Sequence, residues 1–280
     1  MEKKNHGKAL SVVLLVYIVC VVFRLFEYFI LRTDKTWVGE AVVHKLIGIV
    51  ILYLAVQMQG FSWNDIGFVK EKAVKYLLKG LAFGLGIFAI AYAAETLVVM
   101  AQGRFDSLQL YVSAYAVDEN IGYQTGLVFF LICILGNVVN VIMEEGIFRG
   151  LFIRILEKKY HFISAVVISS VLFGLWHMVA PIRNYVDGTT SMGGMIANII
   201  MLVVTSALVG FKFALLTKIT GSLYMAMGDH FVNNTIVNLL HVVSITGADE
   251  MMVLRVAIAQ SLSCVIVLVY YVLVCRIKEK

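Results

Sequence analysis

Apolar runs near the length of a bilayer crossing follow one another along almost the whole chain, separated by short polar stretches. A helix needs about 20 mostly apolar residues to cross the hydrocarbon core. Eight stretches meet that requirement: 9–31, 41–59, 77–101, 125–158, 162–180, 195–216, 221–243 and 252–275, the fourth long and composite. The pattern predicts an all-α polytopic membrane protein with about eight transmembrane helices, a single integral membrane domain over 1–280. Composition agrees. The chain is 61% hydrophobic and 15% charged with one proline, and its mean hydropathy is +0.90. Soluble domains sit at about 45–50% apolar and about 25% charged, which excludes a separate soluble domain here.

The polar residues between the runs alternate in sign. One side collects Lys3, Lys4 and Lys8, then Lys70, Lys72, Lys75 and Lys79, then Arg154, Lys158 and Lys159, then Lys212 and Lys218, then Arg276, Lys278 and Lys280. The other holds Arg32, Lys35, Arg104 and Arg183 with Asp106, Asp118, Glu119, Asp187, Asp249 and Glu250. The positive-inside rule then places both termini in the cytoplasm of a multi-pass cell-membrane protein. "MEKKNHGKALSVVLLVYIVCVVF" opens like a signal peptide, but Arg24 and "LFEYFILR" follow in place of a small-residue cleavage site, so it reads as an uncleaved first span. "FSWNDIGFVKEKAVKYLLKG", residues 61–80, mixes aromatics with four lysines and predicts a helix lying at the cytoplasmic interface, in contact with membrane lipid. The net charge of +5 sits in short loops and implies no nucleic-acid partner. The four cysteines have no paired or metal-type spacing and read as small buried hydrophobes.

Against this background, "VIMEEGIFRGLF" sets Glu144, Glu145 and Arg149 inside a spanning run. Each ionised side chain at a helix centre costs roughly 2.5–3.5 kcal/mol on insertion scales, so three together call for a role. His177 stands late in "SSVLFGLWHMVAP", a helix that Pro181 is expected to help end. "GSLYMAMGDHFVNNTIVNLLH" carries Asp229, His230, Asn233, Asn234, Asn238 and His241. From the basic corner at Lys159, Glu144 lies 15 residues back and His177 18 residues on, about 22 Å and about 27 Å of helix, the latter less whatever the turn consumes. His230 lies 12 residues beyond Lys218, about 18 Å up its own helix. Three helices thus deliver Glu144, His177 and His230 to one depth, which predicts a polar intramembrane catalytic cavity.

Spacing within the helices sorts the roles. Glu145 and Arg149 are i and i+4 with the acid first, the better order for a helical ion pair. Glu144 lies about 100° around the helix and is free to point elsewhere. His230 and Asn234 share a face at i and i+4, and Asn238 and His241 continue it. Asn137 and Asn140 precede Glu144 at i−7 and i−4; they either line the same cavity or bond a neighbouring helix, and stay outside the core site.

"EEGIFRG" matches EExxxR, "FGLWH" matches FxxxH and "HFVNN" matches HxxxN. This ordered set, over residues 120–245, resembles the CPBP intramembrane proteases, the family of the type II CAAX prenyl endopeptidases and bacteriocin self-immunity proteins. The resemblance implies that Glu144 with His177 activates a water, that His230 and Asn234 form an oxyanion hole, and that Glu145 and Arg149 support them. The substrate would be a protein or peptide, membrane-associated or lipidated. Gly146 departs from the bulky apolar residue more usual there and is expected to loosen local packing. Peptide hydrolysis needs a base, a water and donors for the oxyanion, which this set can supply.

A zinc hydrolase is the competing chemistry, with Glu144, His177 and His230 as ligands. The chain lacks HExxH, and asparagine is a poor zinc ligand, so the metal-free mechanism, with no cofactor, is preferred. Rhomboid-type GxSG is absent, and "AMGD" has alanine where a presenilin-like GxGD needs glycine. The alternative from another class is a non-proteolytic membrane scaffold or bacteriocin-immunity factor retaining the fold. A proton-coupled transporter would predict inverted repeats that the chain does not show.

Overall fold

The computed structural model describes residues 3–113 and 122–275. Asp118, Glu119, Arg276, Lys278 and Lys280 of the loop-charge pattern lie outside the described residues. The helices are α1 (Lys3–Phe26), α2 (Val43–Met58), α3 (Ala73–Ala101), α4 (Leu127–Glu144), α5 (Ile153–Leu156), α6 (Phe162–Trp176), α7 (Val179–Val186), α8 (Met192–Thr220), α9 (Tyr224–Leu239) and α10 (Met252–Tyr270). A π-helical segment, Glu145–Phe152, joins α4 to α5. The protein is a mainly helical polytopic membrane protein. Its polarity is inverted relative to a soluble fold: Glu27, Glu95, Glu145 and Arg255 are fully buried, whereas Leu15 and Ile30 are 63% and 70% exposed. Apolar side chains face outward because the bilayer is the solvent.

Among the described residues, six helical stretches are long and apolar enough to cross: Lys8–Lys35, Lys70–Ala101, Leu127–Leu156, Phe162–Val186, Met192–Thr220 and Met252–Leu273. The other two expected spans are present as shorter helices. α2 and α9 have 16 residues each, about 24 Å at 1.5 Å per residue. The run expected to span 221–243 stops because Leu240 turns extended. Its β-branched end forms β2 (Leu240–Ser244), antiparallel to β1 (Phe105–Leu110). This small sheet is a departure from the all-helical expectation. A strand can take an apolar run as readily as a helix end can, and Val242 and Val243 are buried in it.

Two local expectations are corrected. Residues 61–69 form turns and α3 begins only at Ala73, so 61–80 is not a separate interfacial helix. The loop instead pushes Ile66 inward to 2% exposure, and Leu223 N donates to the Gly67 carbonyl at 3.0 Å. The α6 helix breaks at His177–Met178, ahead of Pro181. Pro181 sits in the first turn of α7, where a missing N–H leaves no helical bond unmade.

Close backbone approach holds α9 in the middle of the bundle. A Cβ at Gly80 would lie 2.2 Å from the Met225 carbonyl oxygen, one at Gly84 2.9 Å from Val232 Cβ, and one at Gly228 2.6 Å from the Leu77 carbonyl oxygen. Small residues four apart on α3 thus let it lie against α9, the contact that membrane helices use where no hydrophobic force drives them together. The start of α2 is tied down differently. The Val43 backbone N–H donates to the buried Glu27 carboxylate at 2.8 Å, a distant carboxylate satisfying a helix N-terminus.

Candidate active site

The carboxylates of Glu144 and Glu145 leave the chain where α4 passes into the π-helical segment. Such wide turns recur at functional sites because they rotate neighbouring side chains away from their α-helical directions. Glu144, 3% exposed, accepts from Trp176 Nε1 at 3.0 Å through Oε1. Its Oε2 accepts from Asn140 Nδ2 at 3.2 Å and lies 3.6 Å from His230 Nε2. Glu145 is fully buried, and its Oε1 is 2.8 Å from His230 Nδ1. His230 therefore stands between the two carboxylates, with its ring stacked on Phe213 at 4.9 Å between centroids.

Arg149 approaches Glu145 at 3.4 Å through Nε, so the expected pair exists, in looser form. The π-helical turn takes i and i+4 out of α-helical alignment. The guanidinium is held as much by aromatic faces, 3.8 Å from the Phe173 centroid and 5.3 Å from that of Phe213. Gly210 leaves the room: a Cβ there would come within 3.2 Å of Arg149 Nη2. Gly146 corrects another expectation. A Cβ there would lie 2.4 Å from Leu52 Cδ2, so the glycine tightens the α2 contact where loosening was predicted.

His177 follows directly on Trp176 at the broken end of α6, half-buried. Its Nδ1 lies 2.8 Å from the Phe173 carbonyl oxygen. A carbonyl only accepts, so Nδ1 carries the proton and Nε2 presents its lone pair. Asn234 lies one turn beyond His230 on α9, and its Oδ1 accepts from Asn233 Nδ2 at 2.9 Å. The structure thus gathers Glu144, Glu145, Arg149 and His230 by direct contact, sets His177 next to Trp176, the donor to Glu144, and ties Asn234 to a different polar chain. His241 stands apart: Nδ1 meets Asp249 Oδ2 at 3.0 Å and Nε2 the Tyr111 carbonyl at 3.1 Å.

Two residues in contact with Glu144 were not read as part of the core. Asn140 was visible as i−4 from Glu144. Trp176 carried no signal beyond its place next to His177. Around Trp176 a further layer closes in, with Arg24 4.4 Å from its ring and His44 5.8 Å away. Among the described residues, no three His, Cys, Asp or Glu side chains form a metal-holding group. His177 and His230 each keep Nε2 open while Nδ1 meets a protein oxygen, and no step is derived through a metal.

Fold and site define a polytopic helical membrane protein with an acid–base layer buried between α4, α6 and α9. Residues 126–236, which contain all three motifs, match the family model described as type II CAAX prenyl endopeptidase Rce1-like, bearing out the resemblance read from the motifs. No curated protein and no solved structure matches.

Proposed function

We propose that the protein is an intramembrane endopeptidase that hydrolyses a peptide bond with a water activated by Glu144 and His177. The observation that carries this reading is the convergence of Glu144 and His230, 3.6 Å apart in a buried layer, on helices far apart in sequence. Two N–H donors fix the Glu144 carboxylate in place, and fixed groups spend no reorganisation energy when charge moves. The His177 lone pair at Nε2 is the second acceptor for the water's proton. His230 and the Asn234 NH₂ supply donors to the developing oxyanion. With Nδ1–H on Glu145, His230 donates from Nε2 only as imidazolium, and Glu145 is its counter-charge. Glu145 and Arg149 support the layer and do not touch the reacting atoms.

The substrate is a membrane-associated protein or peptide. The matched family's description makes a prenylated C-terminal CAAX peptide the first one to try. The protein lies in the cell membrane, in contact with lipid, with both termini cytoplasmic. The test is cleavage in proteoliposomes of quenched fluorogenic peptides, with and without a farnesylated CAAX end, by wild type and Glu144→Gln. The expected result is turnover that Glu144→Gln reduces by several orders of magnitude while the folded yield is unchanged. Equal turnover by the two proteins would sink the base assignment. No cleavage of any peptide by a folded wild type would favour the scaffold or immunity reading.

A further inference from the structure

Beside the candidate site lies a second buried polar chain that the proposed chemistry leaves unused. Lys212 of α8 is 2% exposed, so it belongs to the interior and not to the basic loop in which the charge pattern sets it. Its Nζ lies 2.8 Å from Asp229 Oδ2, and it donates to Gln260 Oε1 at 3.0 Å and to Ser263 Oγ at 3.1 Å. Gln260 Nε2 donates to Asn233 Oδ1 at 2.6 Å, and Asn233 Nδ2 donates to Asn234 Oδ1 at 2.9 Å. Four side chains from α8, α9 and α10 form one continuous line that ends at Asn234.

The line has a direction, and Lys212 sets it. An ammonium has three donors and no acceptor, so Gln260 must turn its carbonyl toward it. The Gln260 NH₂ then faces Asn233, whose carbonyl must accept and whose NH₂ must donate onward. Asn234 receives that donor on its own carbonyl, which leaves its NH₂ as the free edge. An amide can present either edge in the same volume, and only one edge stabilises an oxyanion. Asp229, next to His230 in sequence, keeps the ammonium paired in the low-dielectric interior, where an unpaired charge is expensive.

We propose that Lys212, Gln260 and Asn233 are positioning residues, an amide relay that holds Asn234 with its NH₂ outward as an oxyanion donor. The proposal rests on the reading of Asn234 given above. Gln260→Glu tests it almost without change of shape. A carboxylate at 260 still pairs with Lys212, but it accepts at both ends. Asn233 must then reverse to donate to it, and Asn234 reverses in turn, giving its NH₂ to Asn233 and presenting a carbonyl outward. Asn233→Asp imposes the same reversal one link nearer and serves where Gln260→Glu does not fold.

Two readouts separate the relay from the chemistry. In protein labelled with ¹⁵N at asparagine in detergent micelles, the Asn234 side-chain NH₂ signals are assigned by their loss in Asn234→Ala. They should move downfield in Gln260→Glu as that NH₂ becomes hydrogen-bonded. Signals that stay in place overturn the relay, whatever the enzyme does. On the fluorogenic peptides above, Gln260→Glu should lower kcat about 10²–10³-fold, the loss typical of one oxyanion donor, with KM nearly unchanged. It should add nothing in an Asn234→Ala background. A kcat within threefold of wild type, beside an impaired Asn234→Ala, overturns the relay and leaves the oxyanion reading standing. A fully active Asn234→Ala overturns the oxyanion reading, and the positioning role falls with it.

Discussion

Trp176 donates its indole N–H to Glu144 at 3.0 Å, so the residue before one motif histidine fixes the first glutamate of another motif. Trp176→Phe keeps the ring and removes the donor, leaving Glu144 with the single amide donor of Asn140. A neutral partner lost to a buried carboxylate costs on the order of 1–3 kcal/mol. Turnover should fall about 10- to 100-fold while the thermal midpoint drops by only a few degrees. Steady-state kinetics beside a melting curve in detergent decide it. Unchanged kcat would mean that Asn140 alone suffices to hold the base.

Arg149 belongs to stability more than to chemistry. Arg149→Ala leaves Glu145 buried with His230 as its remaining partner. Breaking a buried pair from one side costs roughly 3–5 kcal/mol. Because His230 stays, the loss should sit near the lower figure, about 3 kcal/mol. Arg149→Lys should recover little of it, since an ammonium cannot lie flat on Phe173 and Phe213 as the guanidinium does. The measurement is the folded fraction after detergent extraction and its melting temperature. A stable but inactive Arg149→Ala would instead assign Arg149 a direct role in substrate binding.

Much of this arrangement was legible in the sequence because bilayer physics writes itself plainly. Apolar runs and basic loops mark the helices, and the cost of burying Glu144, Glu145, Arg149 and His230 singles them out. Distances along the helices from Lys159 and Lys218 placed Glu144, His177 and His230 at one depth. What escaped depended on contacts between elements. The π-helical turn that loosens Glu145–Arg149 has no signature in residue spacing. Leu52 tightening around Gly146 lies on another helix. Leu240–Ser244 became a strand because β1 was there to pair with it, and an isolated apolar run carries no record of its partner.

The glycines that seat α3 on α9 should be intolerant of bulk. Gly80→Leu drives a side chain into the Met225 backbone, where no flexible atom can give way. Since α9 carries His230 and Asn234, the displacement should remove both stability and activity. Gly86→Leu is the control, since a Cβ there meets nothing within 4 Å. Expression, monodispersity and turnover of the two variants should diverge sharply. Comparable behaviour would show that the α3–α9 seat is plastic.

Outside the helices, Asp249 gives a pH signature. Burial raises its pKa, but hydrogen bonds from His241 and Arg255 outweigh burial and leave it below the ordinary carboxylate range. A depressed carboxylate stabilises the fold above its unfolded pKa, about 3.9. That stability is lost as pH falls through the folded value. The melting temperature should therefore fall more steeply below about pH 4 in wild type than in Asp249→Asn. Asp249→Asn should melt lower at neutral pH, where the charge-assisted bonds are already missing. Parallel melting curves for the two proteins across that range would remove Asp249 from the account of acid sensitivity.

The last prediction separates a water activated by glutamate and histidine from one activated by zinc. His177 gives Nδ1 to the Phe173 carbonyl, and His230 gives Nδ1 to Glu145. Each ring retains only Nε2, and Glu144 is already held by Trp176 and Asn140. A tetrahedral zinc site would need Glu144 and both Nε2 atoms to converge at about 2.0–2.2 Å from one point, with those existing bonds intact or broken. Dialysis against a strong chelator, followed by elemental analysis, should leave full turnover with far less than one zinc per chain. His230→Ala and Asn234→Ala should then be impaired to a similar degree, as two donors to one oxyanion are. In a zinc enzyme the two variants part company, because His230→Ala loses a ligand and Asn234→Ala keeps the metal. Activity that disappears on chelation and returns with added zinc would make Glu144, His177 and His230 ligands and retire the oxyanion assignment of His230.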